Sequence, residues 1–268
     1  PEAPEIPKMP NPAKAAKEPE EILTNEELYF TGQHIEQYRH ATYLPDPYYL
    51  EGLKRDPGDV RMNNAYGLLL MRRGRFSDAE KYFRKALERL IERNPNPYNS
   101  ESYYLLGLVL FYQGKLKEAY NSFYKATWSN EQQEMSFYYL AAIDAKEGKY
   151  KSAYEHIEKA LVKNSHNIKA RGLKAYLLRK LGKLIQAESW VVENLTLDPF
   201  DFVSGNEQIK LSNSLDNKLK EMQGKKMRDF HENYLMAARD YAEFGAYKEA
   251  VEMLYKYIED NPKHYPML

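Results

Sequence analysis

The sequence predicts an all-α solenoid in which antiparallel helix pairs stack one on another. Three recurring residues predict it: a glycine, an alanine five positions later, and a large apolar residue four positions after the alanine. The five occurrences are Gly74, Ala79 and Phe83; Gly114, Ala119 and Phe123; Gly148, Ala153 and Ile157; Gly182, Ala187 and Val191; and Gly245, Ala250 and Leu254. A single helix pair cannot bury its own apolar face, so such units have to stack.

The spacing of these marks identifies the type of repeat. Gly114, Gly148 and Gly182 follow one another at intervals of 34 residues. This period, with an alanine and an aromatic residue in the second helix of each pair, resembles the tetratricopeptide repeat. The resemblance implies a right-handed superhelix whose concave groove is lined by the first helices of the pairs.

Each recurring residue has an expected structural role. Glycine ends the first helix because it adopts a left-handed backbone conformation without a Cβ clash. The apolar residue fills the space between successive repeats. Small residues in the first helices are expected to face the alanines of the second helices and to let the backbones approach closely; they are Gly67, Gly107, Ala141, Ala175 and Ala238.

The chain divides into five predicted segments. Residues 1–23 hold six prolines and predict an extended linker, and residues 24–59 predict an N-terminal helical hairpin with Thr24 as the N-cap. Residues 60–201 predict four tetratricopeptide repeats, with six extra residues inserted at 93–98. Residues 202–230 lack the glycine and alanine marks and predict a degenerate repeat of one helix and a loop. Residues 231–268 predict a C-terminal repeat and the start of a truncated further one.

Composition argues against several classes of partner. The 39 basic residues balance 39 acidic residues, so the net charge gives no general attraction to nucleic acid or to an anionic membrane. No apolar run approaches the length of about 18 residues that a membrane span needs. The absence of cysteine fits a reducing compartment, so we expect a cytoplasmic location. Because the chain begins with Pro1, we interpret it as part of a longer protein, and a signal preceding it stays open.

The sequence contains no recognisable catalytic or cofactor-binding motif. It lacks a His-Glu-x-x-His zinc motif, a nucleophile elbow, a phosphate-binding loop and a dinucleotide-binding glycine pattern. We therefore predict that the chain is not an enzyme and binds no metal or cofactor.

The predicted groove is basic and rich in tyrosine. Counting the groove positions of tetratricopeptide repeats from Val60, Ser100, Glu134 and Ile168 gives a candidate ligand site. Its residues are Asn64, Arg72, Tyr104, Phe111, Tyr112, Tyr138, Lys146, Lys169, Tyr176, Arg179 and Lys180. Such a surface favours an extended, acidic peptide or another anionic or sugar-like ligand, because a concave basic surface concentrates anions and tyrosine offers a large contact area. The alternative is that the tyrosines pack between repeats.

A narrower resemblance covers residues 27–205. Residues 34–42 (HIEQYRHAT), 48–57 (YYLEGLKRDP) and 94–98 (NPNPY) are similar to the repeat tail of large bacterial proteins. In those proteins a domain of unknown function, thought to be a mutarotase-like β-sandwich, precedes the tail. The resemblance implies such an upstream domain here. Candidate residues for docking onto it are His34, Gln37, Tyr38, Arg39 and His40.

Two functions fit these observations. The first is a non-catalytic scaffold that uses its groove to bind a protein or peptide. The alternative is an accessory helical module of a bacterial carbohydrate-active protein, which packs on or completes the site of an upstream β-sandwich domain. The identity of the ligand and the oligomeric state stay open.

Overall fold

The computed structural model describes residues 15–38, 42–212, 217–228 and 230–260. Within these ranges the chain forms fourteen α-helices and no strand, and the fold is a solenoid of helical repeats. The helices are α1 (Asn25–Gln37), α2 (Asp46–Arg55), α3 (Val60–Arg72), α4 (Phe76–Ile91), α5 (Glu101–Tyr112), α6 (Leu116–Ala126), α7 (Asn130–Lys146), α8 (Tyr150–Lys163), α9 (Ile168–Lys180), α10 (Leu184–Leu197), α11 (Phe202–Leu211), α12 (Asn217–Met227), α13 (His231–Glu243) and α14 (Tyr247–Asp260). The chain divides into two compact units, residues 1–96 and 97–268.

The N-terminal unit contains α1–α4, packed as two successive helix pairs. Thr24 caps α1 as predicted, because its hydroxyl accepts a hydrogen bond of 3.1 Å from the backbone N–H of Glu27. The described part of the predicted linker, residues 15–23, lies against α2. Arg55 donates to the carbonyl oxygen of Ile22 at 2.7 Å, and Ile22 itself is buried. Residues 1–14 lie outside the described residues.

The C-terminal unit contains α5–α14. Its helices pack as antiparallel pairs, α5 with α6, α7 with α8, α9 with α10, α11 with α12, and α13 with α14. Phe123 of α6 packs between two repeats as predicted, since its ring stacks on that of Tyr139 in α7 at a centroid distance of 4.9 Å.

The repeat glycines end the first helices as predicted. All five have positive φ, between 71° at Gly182 and 81° at Gly245. At Gly114 the next backbone N–H, that of Lys115, donates to Leu110 at 2.9 Å, while the glycine N–H donates to Phe111 at 3.0 Å. These two bonds satisfy carbonyl groups that the helix end would otherwise leave unpaired.

The alanines and most of the apolar residues of the repeats are buried in the core. Ala119, Ala153 and Phe83 are fully buried, as expected. Two small residues of the first helices, Gly67 and Gly107, have the aromatic ring of the apolar position as their nearest neighbour. A Cβ added at Gly67 would lie 2.6 Å from the Phe83 ring, and one added at Gly107 would lie 2.8 Å from the Phe123 ring. Glycine is needed there because a flat aromatic ring lies directly on the helix backbone.

The segment predicted as one helix and a loop forms a helix pair, α11 and α12. Its close contact is made by Gly205, where an added Cβ would lie 2.2 Å from the side chain of Gln223. The prediction of one helix and a loop was wrong, because this segment forms two helices that contact each other although it lacks the repeat glycine and alanine.

Candidate ligand-binding site

Two of the predicted groove residues, Asn64 and Arg72, lie on α3 in the N-terminal unit. Asn64 is buried, and the Arg72 guanidinium pairs with the carboxylate of Glu36 on α1. The other nine predicted residues lie on α5, α7 and α9 of the C-terminal unit. These nine therefore lie within one compact unit.

The C-terminal helix pair covers much of the surface that the sequence predicts as an open groove. Tyr138 of α7 is fully buried, and its hydroxyl donates a hydrogen bond of 2.7 Å to Glu243 of α13. Tyr176 of α9 is 3% exposed and contacts the ring of Phe244 at a centroid distance of 5.0 Å. These two tyrosines are therefore packing residues in this conformation, which agrees with the alternative that the sequence left open.

Lys169 is paired with carboxylates from the same C-terminal pair. The Lys169 ammonium lies 3.1 Å from a carboxylate oxygen of Asp240 and 3.5 Å from one of Glu243. Burial raises the pKa of the Asp240 carboxyl above its ordinary value, although the nearby Lys169 charge acts in the opposite direction. These two carboxylates therefore offset part of the predicted basic character of this part of the groove.

Arg179 is held in a buried ionic network. Its guanidinium donates to Glu207 of α11 at 2.5 and 3.0 Å and to Glu249 of α14 at 3.0 Å. The hydroxyl of Tyr241 donates to the same Glu207 carboxylate at 2.8 Å. Burial opposes the charged form of Arg179, but the bonds to Glu207 outweigh it, so the pKa of Arg179 is raised. Arg179 thus ties α9 to α11 and α14, and its bonding capacity is directed into the protein.

An accessible pocket remains beside this covered region. It has a volume of about 510 Å³. It is lined by Phe111, Tyr112, Lys146, Lys169, Arg239, Ala242 and Glu243. The structure thus brings four predicted groove residues together and adds three residues from α13. Tyr112 is the exposed aromatic residue of this pocket, with 49% of its surface accessible.

Lys146 connects the pocket to the turn between α13 and α14. Its ammonium donates to the carbonyl oxygen of Ala242 at 3.0 Å and to the hydroxyl of Tyr247 at 3.2 Å. It also lies 5.2 Å from the centre of the Phe111 ring, within the range of a cation–π interaction. Both hydrogen-bond acceptors are neutral, so the positive charge of Lys146 still contributes to the pocket.

The last two predicted groove residues lie elsewhere. Tyr104 is half-buried and packs against the rings of Phe123 and Tyr139. Burial raises the pKa of the Tyr104 hydroxyl above its ordinary value. Lys180 is exposed at the end of α9, with its ammonium 5.4 Å from the Tyr176 ring centre.

Three of the five predicted docking residues lie in the part of the chain that the structure describes. His34 and Gln37 are exposed on the last turn of α1, Tyr38 is exposed directly after it, and the rings of His34 and Tyr38 lie 4.5 Å apart. His34 also lines a surface pocket of about 790 Å³ in the N-terminal unit. Arg39 and His40 lie outside the described residues.

Two further features are absent from the described residues. This part of the chain contains no cluster of three or more His, Cys, Asp or Glu side chains placed to bind a metal ion. None of its helices combines the length and the apolar character that crossing a bilayer requires.

Sequence reasoning missed the acidic side of this region. Glu207, Asp240, Glu243 and Glu249 hold the groove cations, and Arg239 adds a cation to the pocket. Tyr138 and its partner Glu243 are 105 positions apart, so no local spacing connects them. One sequence feature could have indicated these ion pairs: the C-terminal helix pair carries carboxylates, and the first helices before it carry basic residues.

Comparisons with known proteins agree with this architecture. Residues 59–127 match the tetratricopeptide repeat family model. The structure of PilF from Pseudomonas aeruginosa superposes with a TM-score of 0.66 at 20% identity, covering 83% of this chain and 96% of that one. A tetratricopeptide repeat protein from Parabacteroides merdae superposes with a TM-score of 0.58 at 15% identity, covering 87% of this chain and 98% of that one.

A third solved structure, YrrB, is described as a tetratricopeptide repeat protein with an unusual peptide-binding site. It superposes with a TM-score of 0.50 at 21% identity, covering 81% of this chain and 93% of that one. At these identities the likeness concerns the fold. The chain is therefore a helical-repeat solenoid that shares its fold with tetratricopeptide repeat proteins and carries a tetratricopeptide repeat segment at 59–127.

Proposed function

We propose that this chain is a non-catalytic protein-binding scaffold that holds an extended peptide segment of its partner. The pocket between α5, α7, α9 and α13 is the observation that carries this proposal. It is the accessible remainder of the surface that the repeat pattern predicts as the ligand groove, and it combines an exposed aromatic side chain with several hydrogen-bond donors.

The chemistry of the pocket suits a peptide. Tyr112 offers a rigid aromatic surface at low entropic cost, which is a common anchor in protein recognition. Lys146, Lys169 and Arg239 supply donors for the carbonyl and carboxylate oxygens of a peptide.

The fold gives independent, though general, support. Solenoids of this type present an extended surface along their first helices, and the YrrB protein is described as having a peptide-binding site. Fold alone does not determine function, so the pocket and not the likeness carries the proposal. The alternative, an accessory module of a carbohydrate-active protein with an upstream β-sandwich domain, stays a prediction.

Selection of binding peptides tests this function. Random peptides displayed on phage are selected on the folded chain, and their affinities are measured by fluorescence anisotropy. Tyr112→Ala is expected to weaken the selected peptides by about tenfold, as the loss of an aromatic anchor does. Tyr124→Ala is the matched control, because Tyr124 is 54% exposed on α6, the second helix of the same repeat.

Two results would contradict the proposal. One is that selection returns no peptide that binds the folded chain. The other is that Tyr112→Ala and Tyr124→Ala leave the affinities equal while both variants keep the melting temperature of the parent chain.

A further inference from the structure

We propose that the pocket binds a carboxylate of an acidic peptide between Lys169 and Arg239, and that Glu243 is a built-in competitor for Lys169. This inference rests on the proposed function and adds the chemistry of the ligand and the side chain that limits its affinity.

The two oxygens of the Glu243 carboxylate contact different side chains, Tyr138 and Lys169. One of its oxygens accepts the hydrogen bond of 2.7 Å from the buried Tyr138 hydroxyl, which fixes the position of the side chain. The other oxygen lies 3.5 Å from the Lys169 ammonium, at the long end of the hydrogen-bonding range. The contact with Lys169 is therefore the weaker of the two, and a ligand carboxylate can replace it while the bond to Tyr138 persists.

The charges around the pocket leave a positive excess. Lys146, Lys169 and Arg239 face the carboxylates of Asp240 and Glu243. Lys146 donates to neutral oxygens, and Arg239 is exposed on α13, so both remain able to attract an anion. A concave and partly desolvated surface strengthens this attraction compared with open water.

The competition between Glu243 and a ligand carboxylate involves side chains only, because α13 is held firmly in place. Tyr241 and Phe244 flank Glu243 in sequence and are both buried, so apolar packing holds the end of α13 in place. An incoming carboxylate thus displaces one side-chain contact and not the helix. While Glu243 is charged it also repels the ligand across a few ångströms, and its neutralisation should raise affinity for acidic ligands only.

The experiment uses two fluorescein-labelled probes, a short peptide of alternating Leu and Glu and the same peptide with Gln in place of Glu. Affinities are measured by anisotropy at low salt. Glu243→Gln is expected to tighten binding of the Glu peptide about three- to tenfold, because one nearby like charge is removed. The binding of the Gln peptide is expected to stay unchanged. Glu243→Gln keeps an oxygen that can accept from Tyr138.

Three further variants complete the design. Lys169→Gln and the exposed Arg239→Gln are expected to weaken the Glu peptide by about three- to tenfold each, which converts to about 0.7–1.4 kcal/mol. Glu155→Gln, on the exposed surface of α8, is the control for a general change of net charge and is expected to have no effect. Melting temperatures of all variants establish that they fold.

Distinct outcomes separate this inference from the proposed function. If Glu243→Gln leaves the Glu peptide unchanged or binds it more weakly, the competitor role is overturned. If both probes bind the parent chain equally, or neither binds, the acidic specificity is overturned. Peptides selected by display that still depend on Tyr112 would in those cases keep the proposed function.

Discussion

Gly245 gives a sharp test of whether the turn between α13 and α14 lies against α7. Gly245 and Gly114 occupy the same position at the ends of two first helices, with φ of 81° and 75°. A Cβ added at Gly114 meets no atom within 4 Å, whereas one added at Gly245 would lie 2.8 Å from both Cα and Cγ of Lys146. Alanine at either position has the same backbone cost, so the difference between the two variants isolates the contact with α7.

The magnitudes follow from these two terms. A left-handed conformation costs a residue with a Cβ about 1–2 kcal/mol, which is the whole expected effect of Gly114→Ala. Gly245→Ala adds a clash with a backbone atom, and overpacking of this kind costs about 1–3 kcal/mol. We therefore expect Gly245→Ala to lower the free energy of unfolding by about 2–5 kcal/mol in total.

Urea unfolding followed by circular dichroism measures the two changes, and native-state hydrogen exchange assigns them to helices. Exchange in α7 and α13 should quicken in Gly245→Ala beyond its value in Gly114→Ala. Equal destabilisation by the two variants would refute the reasoning, because it would mean that the turn at Gly245 does not lie against Lys146.

Two other predictions concern the core and the ionic network. Ala119→Leu should lower the free energy of unfolding by about 1–3 kcal/mol, because Ala119 is fully buried. The control Lys117→Leu, on the exposed side of α6, should change it little. Equal melting temperatures of the two variants would contradict the repeat register. Burial acts to raise the pKa of the Glu249 carboxyl, but its bond to Arg179 outweighs burial and lowers it. The stability that ionised Glu249 contributes is therefore fully present above the pKa of about 4.3 that its carboxyl has in the unfolded chain. This stability is lost as the pH falls through the lower pKa of the folded chain. Glu249→Gln should reduce stability by about 1–2 kcal/mol at pH 7 and flatten the acid limb of a stability-versus-pH curve, and an unchanged acid limb would contradict the role of this pair.

The sequence predicts the repeats well because their determinants are local. Gly114 and Ala119 act within one helix pair, and Phe123 reaches only to the next repeat, where its ring stacks on Tyr139. Helix ending, close approach and ring packing therefore depend on residues that are near in the chain. The same local logic fails for residues 202–227, because two helices form there without the recurring glycine and alanine.

The site was predictable only in part, for a physical reason. Four of the seven pocket residues lie at groove positions that the repeat defines: Phe111, Tyr112, Lys146 and Lys169. Whether a groove position is open depends on what packs over it. For Tyr138 and Tyr176 that is decided by α13 and by Phe244, which are distant in sequence. A charge count at groove positions also misses the carboxylates that arrive from elsewhere in the chain.

Photo-crosslinking with a selected peptide tests the central claim most directly. The peptide carries a benzophenone side chain, and mass spectrometry identifies the residues to which it becomes attached. We expect attachment at the ends of α5 and α13, around Tyr112 and Arg239, and loss of attachment in Tyr112→Ala. Attachment confined to the second helices α6, α8 and α10, or unchanged by Tyr112→Ala, would contradict the account.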